Sequence, residues 1–224
     1  MWRDALLVAG KDLRIEGRSR VALNQVLPFS LLVLVLFAFA LDPDRGVLVE
    51  AAPGLYWVAV LFSALLAVQR SQALEAGEGT RDALRLSGLD PAGVFLGKAA
   101  AVALQLLVLE VLLGAGIVVL YNVEPAGLGL LAVTGLVATA GLAAAGTLYG
   151  AIAAGLRVRE TLLPLLLLPV VAPVLIAATR ASEAALSGVS TGVATGNWLV
   201  LLTAFAVVYL GFGVVAFGPL LEDA

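Results

Sequence analysis

Three places in the 224-residue chain hold residue types that could do chemistry. The first, Gly93-Val94-Phe95-Leu96-Gly97-Lys98-Ala99, approaches a phosphate-binding loop. Such a loop needs four residues between its glycines to wrap backbone N–H groups round a phosphate, and a Ser or Thr after the lysine to hold magnesium. One residue is missing between the glycines, and Ala99 stands where the hydroxyl belongs, so this chain does not hydrolyse ATP. The second is Glu110, a carboxyl deep inside an apolar stretch. An acid at that depth is costly and must face a helix, a partner or water. No Lys, Arg or His lies within an apolar stretch to pair with it, and Gln105 is too far round the helix. Two readings stay open: a transport-path or proton-relay group, or a neutral hydrogen bond to another helix. The chain has no histidine and no cysteine, and its single methionine is Met1. That removes imidazole and thiolate metal sites and a Ser–His protease, and no paired aspartates suggest a lipid transferase.

The third place is the charged interval Arg70 to Lys98, which sets Arg70, Arg81, Arg85 and Lys98 against Glu75, Glu78, Asp82 and Asp90. Gly77 and Gly79 interrupt its first part. Thr80 is placed to cap a short helix, Arg81 to Leu86, because its hydroxyl can take up free backbone N–H groups. Leu84, Leu86 and Leu89 would form a small apolar contact surface, with Arg81, Asp82 and Arg85 in water. Gly88, Asp90 and Pro91 turn the chain, and Phe95 to Lys98 leads into the next span. Either this is a solvated connection, or it is a surface for a soluble partner.

These groups are carried by membrane helices. The chain is 62% hydrophobic and 13% charged, with mean hydropathy +1.07, outside the range of soluble domains. Six stretches can cross a hydrocarbon core of about 30 Å: Val21–Leu41, Ala51–Gln69, Ala99–Tyr121, Ala126–Gly155, Thr161–Thr179 and Trp198–Gly218. None alternates like a barrel strand, so the fold expected is an all-α polytopic bundle. Eleven of the thirteen Lys and Arg residues fall in 1–20, 70–98 and 157–159, while the other side has Arg45 and Arg180. Both termini are therefore expected in the cytoplasm. Ala38-Phe39-Ala40 resembles a cleavage site after an apolar run, but the twenty residues before that run are charged and patterned, so the expectation is an uncleaved span.

Trp2, Leu6, Ala9 and Leu13 recur at helical spacing opposite Arg3, Lys11, Arg14 and Arg18, the pattern of an interfacial amphipathic helix with its basic side on lipid phosphates. Asn24 and Gln25 can bond to a neighbouring helix, and Pro28 is a kink candidate. Leu41 to Gly46 reads as a tight outer turn, followed by Tyr56 and Trp57 at interfacial depth. The fourth span is rich in small residues, including Gly135, Gly141, Gly146 and Gly150, with Ala154 continuing the last pair; such a face lets backbones approach closely, here expected within one chain. Pro164, Pro169 and Pro173 predict a kinked fifth span. The outer segment Arg180 to Asn197 is long enough for a short lid-like helix at Glu183 to Leu186.

Glu75-x-x-Glu78-Gly79-Thr80, Leu84, Ser87 to Pro91 and Leu96-Gly97-Lys98 together resemble the loop between the second and third spans of ABC-2-type permeases. Further stretches extend the resemblance along essentially the whole chain to the haem exporter protein B (CcmB) family, the permease subunits of the bacterial cytochrome c maturation system. They are Lys11 to Arg14 with Arg18, Leu41-Asp42-Pro43, Ala52-Pro53-Gly54 with Trp57-Val58, Gly150 to Gly155 with Arg157, Leu167 to Val170 and Pro173 to Ile176. Gly88 departs from the pattern, where many relatives have proline.

The resemblance implies a single ABC-2-type transmembrane domain over 1–224, with an interfacial helix at 1–20 and a cytoplasmic coupling helix within 70–98 that docks on an ATPase. It implies that Glu75, Glu78, Gly79, Thr80, Asp82, Leu84, Leu86 and Ser87 serve that coupling. The implied partners are a CcmA-like ATPase that binds the ATP, CcmC-like and CcmD-like membrane proteins and a CcmE-like periplasmic haem chaperone, with two copies of this chain per complex. Membrane lipid surrounds it, nucleic acid has no part, and the location is the bacterial inner membrane. The chain itself would hold no cofactor and catalyse nothing, with haem as cargo or as the chaperone's load. Without histidine or cysteine, any haem here would be held by apolar contacts and carboxylate pairing and not by the usual axial ligands. A generic ABC-2 exporter of a small hydrophobic compound or lipid is the alternative. No ring of charges or filter-like loop suggests an ion channel.

Overall fold

The structure is a computed structural model that describes residues 1–41, 46–75, 88–154, 159–186 and 192–223. Its helices are α1 (Trp2–Ser19), α2 (Leu27–Ala40), α3 (Val47–Glu75), α4 (Pro91–Tyr121), α5 (Leu128–Ala154), α6 (Arg159–Leu186) and α7 (Gly192–Asp223), and a π-turn at Ala22–Val26 leads into α2. No strand occurs among the described residues. By length and composition six segments can cross a membrane, from Ala22–Ala40 to Thr195–Leu220. The fold is thus the all-α polytopic bundle that the hydropathy pattern predicts.

Several helices are longer than the spans read from the sequence, α3 and α7 among them, and two differences bear on the site. α4 starts at Pro91 and not at Ala99. Asp90 caps it by accepting from the Ala92 N–H at 3.1 Å, and Pro91 sits in the first turn, where no N–H is needed. The Lys98 charge does not delay the helix, because Asp12 of α1 lies 3.8 Å from its ammonium. Glu183 to Leu186 forms no separate lid-like helix; it is the end of α6, which also runs unbroken through Pro164, Pro169 and Pro173.

Between α1 and α2 the chain turns at Arg20, which has the left-handed φ of 51°. The Glu16 carboxylate then accepts from the Ala22 N–H at 2.6 Å, satisfying a donor at the start of the next helical segment. The following π-turn places Asn24 four residues before Pro28, whose ring would crowd that carbonyl in a regular α-helix. The π-turn thus lies just before Pro28, which stands in the first turn of α2.

α1 has three faces. Ala5, Val8 and Asp12 are buried against α4, and Arg3, Lys11, Arg14 and Arg18 are exposed. Trp2 and Leu6 project outward with exposures of 71% and 76%, fitting a lipid surface. Two glycines of α4 admit the helix. A methyl carbon at Gly93 would lie 2.6 Å from the Met1 carbonyl oxygen, and one at Gly97 2.5 Å from that of Ala5. The Asp4 carboxylate closes this end, accepting from the Asp90 N–H at 3.3 Å and from the terminal amine at 3.2 Å. The amine first and the Asp90 N–H second hold its pKa below the ordinary carboxylate value.

α3, α4 and α5 make the centre of the bundle, around Trp57, Val60, Leu113, Leu142 and Leu167. The small-residue face of α5 packs internally as expected. A methyl at Gly146 would meet Val68 Cγ2 at 2.6 Å, and one at Gly150 would meet Gln72 Nε2 at 2.8 Å, both on α3. Phe39, Val111, Val119 and Val215 lie outside, each more than 70% exposed. An apolar exterior of this kind belongs in lipid.

The α1–α4 contact predicts opposite outcomes for two glycines. Gly97→Val should overpack the notch and cost about 1–3 kcal/mol, read as faster amide exchange across 1–19 and a lower melting temperature. Gly10→Ala, at a helical glycine with nothing within 4 Å, should leave exchange unchanged or slower. Equal behaviour of the two variants would refute the docking.

Candidate functional site

Glu110 sits in the C-terminal half of α4, with only 5% of its surface exposed. The helix carries it into a cavity of about 610 Å³, whose walls include Pro53, Tyr56 and Trp57 of α3, Gly114 and Val118 of α4, Leu131 and Gly135 of α5, and Ser182 of α6. The cavity runs from Leu107 and Glu110 towards Val123, Pro125 and Leu128, at the end of the bundle away from α1. Thr139 of α5 donates its hydroxyl to Glu110 Oε1. The other oxygen, Oε2, lies over Gly135, 3.0 Å from where a methyl carbon would stand. Tyr56 donates to the Glu110 backbone carbonyl at 3.2 Å, and Trp57 donates to the Ser182 hydroxyl at 3.0 Å. The acid is thus held from a neighbouring helix by a neutral hydroxyl. The sequence left a neutral hydrogen bond to another helix as one of its two readings, but did not single out Thr139 as the partner. The available signal was weak, since Thr139 is one of three buried hydroxyls among the glycines and alanines of α5, with Thr134 and Thr147.

A second unforeseen pairing is Asp12 with Lys98, two groups read from the sequence as parts of charged flanks. Both are buried, and Lys11 closes on the same carboxylate at 2.8 Å. Near this end of the bundle, Gln25, Gln69, Arg70 and Gln72 share with apolar residues such as Val26 and Leu163 the lining of a hollow of about 450 Å³.

The candidate coupling residues cannot be placed in the same way. Glu75 ends α3, and nothing of its side chain is described. Glu78, Gly79, Thr80, Asp82, Leu84, Leu86 and Ser87 lie outside the described residues, as does the short helix expected at Arg81 to Leu86. The two ends of the interval are described. The chain leaves from Glu75 and resumes at Gly88, whose φ of +67° suits glycine, before Asp90 caps α4.

Six lipid-length helices, a closely packed glycine-notched centre and an apolar cavity with one buried acid define a multi-pass helical membrane protein. The chain belongs to the CcmB family, described as CcmB protein, whose match covers residues 3–222. Relatives named heme exporter protein B include that of Haemophilus influenzae, 33% identical over 202 residues and 90% of each chain. That of Paracoccus denitrificans is 34% identical over 82% of this chain and 84% of the relative. The Pseudomonas aeruginosa protein of that name is 30% identical over 94% of each.

The geometry around Glu110 predicts an ordered series of variants. Glu110→Gln keeps an acceptor for Thr139 at the same size and should preserve melting temperature and membrane yield. Glu110→Ala strands the Thr139 hydroxyl, and Thr139→Val strands the carboxyl, each costing about 1–3 kcal/mol. If Glu110→Gln loses as much as Glu110→Ala in a thermal-shift measurement, ionisation and not hydrogen bonding holds the site.

Proposed function

We propose that this chain is the permease subunit of an ABC-type haem-handling complex for cytochrome c maturation, in which a separate ATPase supplies the energy. The observation that carries the reading is the family match over residues 3–222, with relatives named heme exporter protein B aligned over nine-tenths of both chains. The chain's own chemistry supports a mechanical role. With no histidine, no cysteine and no methionine beyond Met1, it offers none of the usual axial ligands for haem iron. ATP-driven motion transmitted through this subunit then releases the haem-loaded CcmE-like chaperone from its CcmC-like and CcmD-like loading partners.

The charged interval Arg70 to Lys98 is the proposed contact with the ATPase. Both termini face the cytoplasm in this reading, supported by the skew of eleven Lys and Arg residues to one side. Coupling requires contacts that differ between two states, since a partner shifts an equilibrium only by its difference in affinity for them. Leu84 and Leu86 are the apolar candidates for such contacts.

Leu84→Asp with Leu86→Asp should bury charge in that contact and abolish co-purification of the ATPase. Normal co-purification would remove the interval from the interface. Reconstitution with an ATPase-dead partner separates release from pumping. Release requires the chaperone to load with haem and stay bound. Unloaded chaperone, with haem supplied only from the cytoplasmic side, would instead establish a haem pump.

A further inference from the structure

At the end of the bundle away from α1, the Glu110 cavity adjoins a second hollow of about 800 Å³, and both have Pro53, Val123 and Leu186 in their walls. Among the described residues this outer hollow is lined by three carboxylates, Glu50, Glu124 and Glu183, against one guanidinium, Arg180. Arg180 is 3.0 Å from Glu183, so Glu50 and Glu124 give the vestibule a negative excess. Further in, the wall is apolar down to Glu110. The ring donors there are already engaged, Tyr56 on a backbone carbonyl and Trp57 on Ser182, while the Glu110 carboxyl retains acceptor capacity at Oε2. No Lys or Arg is among the described lining residues of the inner cavity.

We propose that the two hollows form a binding site for a lipophilic amine, with its ammonium on Glu110 and its apolar body along α4 and α5. An ionised carboxyl at this depth lacks a counter-charge, and an incoming ammonium supplies both the charge and the hydrogen-bond donors. The acidic vestibule concentrates cations at the mouth and repels anions. Fatty acids, and amphiphiles whose amine adjoins a phosphate, are excluded for that reason. From Glu110 to the end of α4 at Tyr121 is eleven residues, or about 16 Å at the helical rise. That depth suits an unbranched chain entering head first. The site is independent of the proposed role in haem handling.

Trp57 lines the cavity and serves as the reporter. The full chain, with Trp2→Phe and Trp198→Phe, is placed in phosphatidylcholine nanodiscs and titrated with dodecylamine, dodecanol and dodecanoate. Dodecylamine should change Trp57 emission saturably. Its half-saturation should rise at least about tenfold in Glu110→Gln, as expected on losing a charge-assisted hydrogen bond, and dodecanoate should give no saturable change. Ala132→Phe, in the cavity wall, should abolish the response while leaving Glu110 intact. Equal responses to dodecylamine and dodecanoate, or a response that survives Ala132→Phe, would overturn the proposal. If Glu110→Gln does not fold, those two comparisons decide alone.

Discussion

Apolar side chains gain little by leaving lipid for one another, so this bundle depends on how closely its backbones can approach. Several close approaches occur at glycines. Gly97 receives the Ala5 carbonyl of α1, Gly146 and Gly150 receive Val68 and Gln72 of α3, and Gly127 lies against the Ala185 backbone at the end of α6. Gly116 takes the Leu31 side chain of α2, and Gly213 takes the Phe95 ring. At Gly97 and Gly127, where the close atoms are backbone, a side chain would push the two segments apart. The cavity beside Glu110 is part of the same arrangement, since Gly135 leaves room for the carboxylate between α4 and α5.

Close packing fixes distance, and a few polar contacts fix rotation. The Ser30 and Ser63 hydroxyls meet at 2.8 Å between α2 and α3. Tyr121 ties α4 to the Leu34 carbonyl of α2 at 2.9 Å, Trp57 ties α3 to Ser182 of α6, and Thr139 ties α5 to Glu110 of α4. Such bonds are worth only about 0.6–2 kcal/mol each in a membrane, but each holds at one helical phase. Turning α4 by a single residue, about 100°, would break two of them together.

This division explains what the sequence made legible. Hydropathy and helical period located six spans and the N-terminal helix, because lipid requires unbroken apolar length. The small-residue row from Gly146 to Gly150 announced a close internal contact, though not that Val68 and Gln72 would fill it. The start of α4 was misplaced because Lys98 reads as a flank until Asp12, 86 residues earlier, is brought beside it. Similarly, Glu110 seemed to lack a partner because Thr139 becomes its neighbour only once α4 and α5 pack. Local pattern carried the elements; pairings between distant positions needed the fold.

One such pairing bears on coupling. α1 touches both helices that bracket the interval 76–87. At its start Asp4 accepts from the Asp90 N–H, where α4 begins, and near its end Glu16 lies 4.0 Å from the Arg70 guanidinium, one turn before α3 ends. Glu16 also holds the Ala22 N–H, so the same side chain joins the end of α3 to the segment leading into α2. In the coupling proposed above, displacement of the interval would load both of its anchors, and α1 spans them. A rigid 18-residue helix seated in glycine notches passes such a load on more directly than a flexible flank would. On a lipid surface, the exposed Trp2 and Leu6 would favour sliding over lifting, because lifting would expose their apolar area to water.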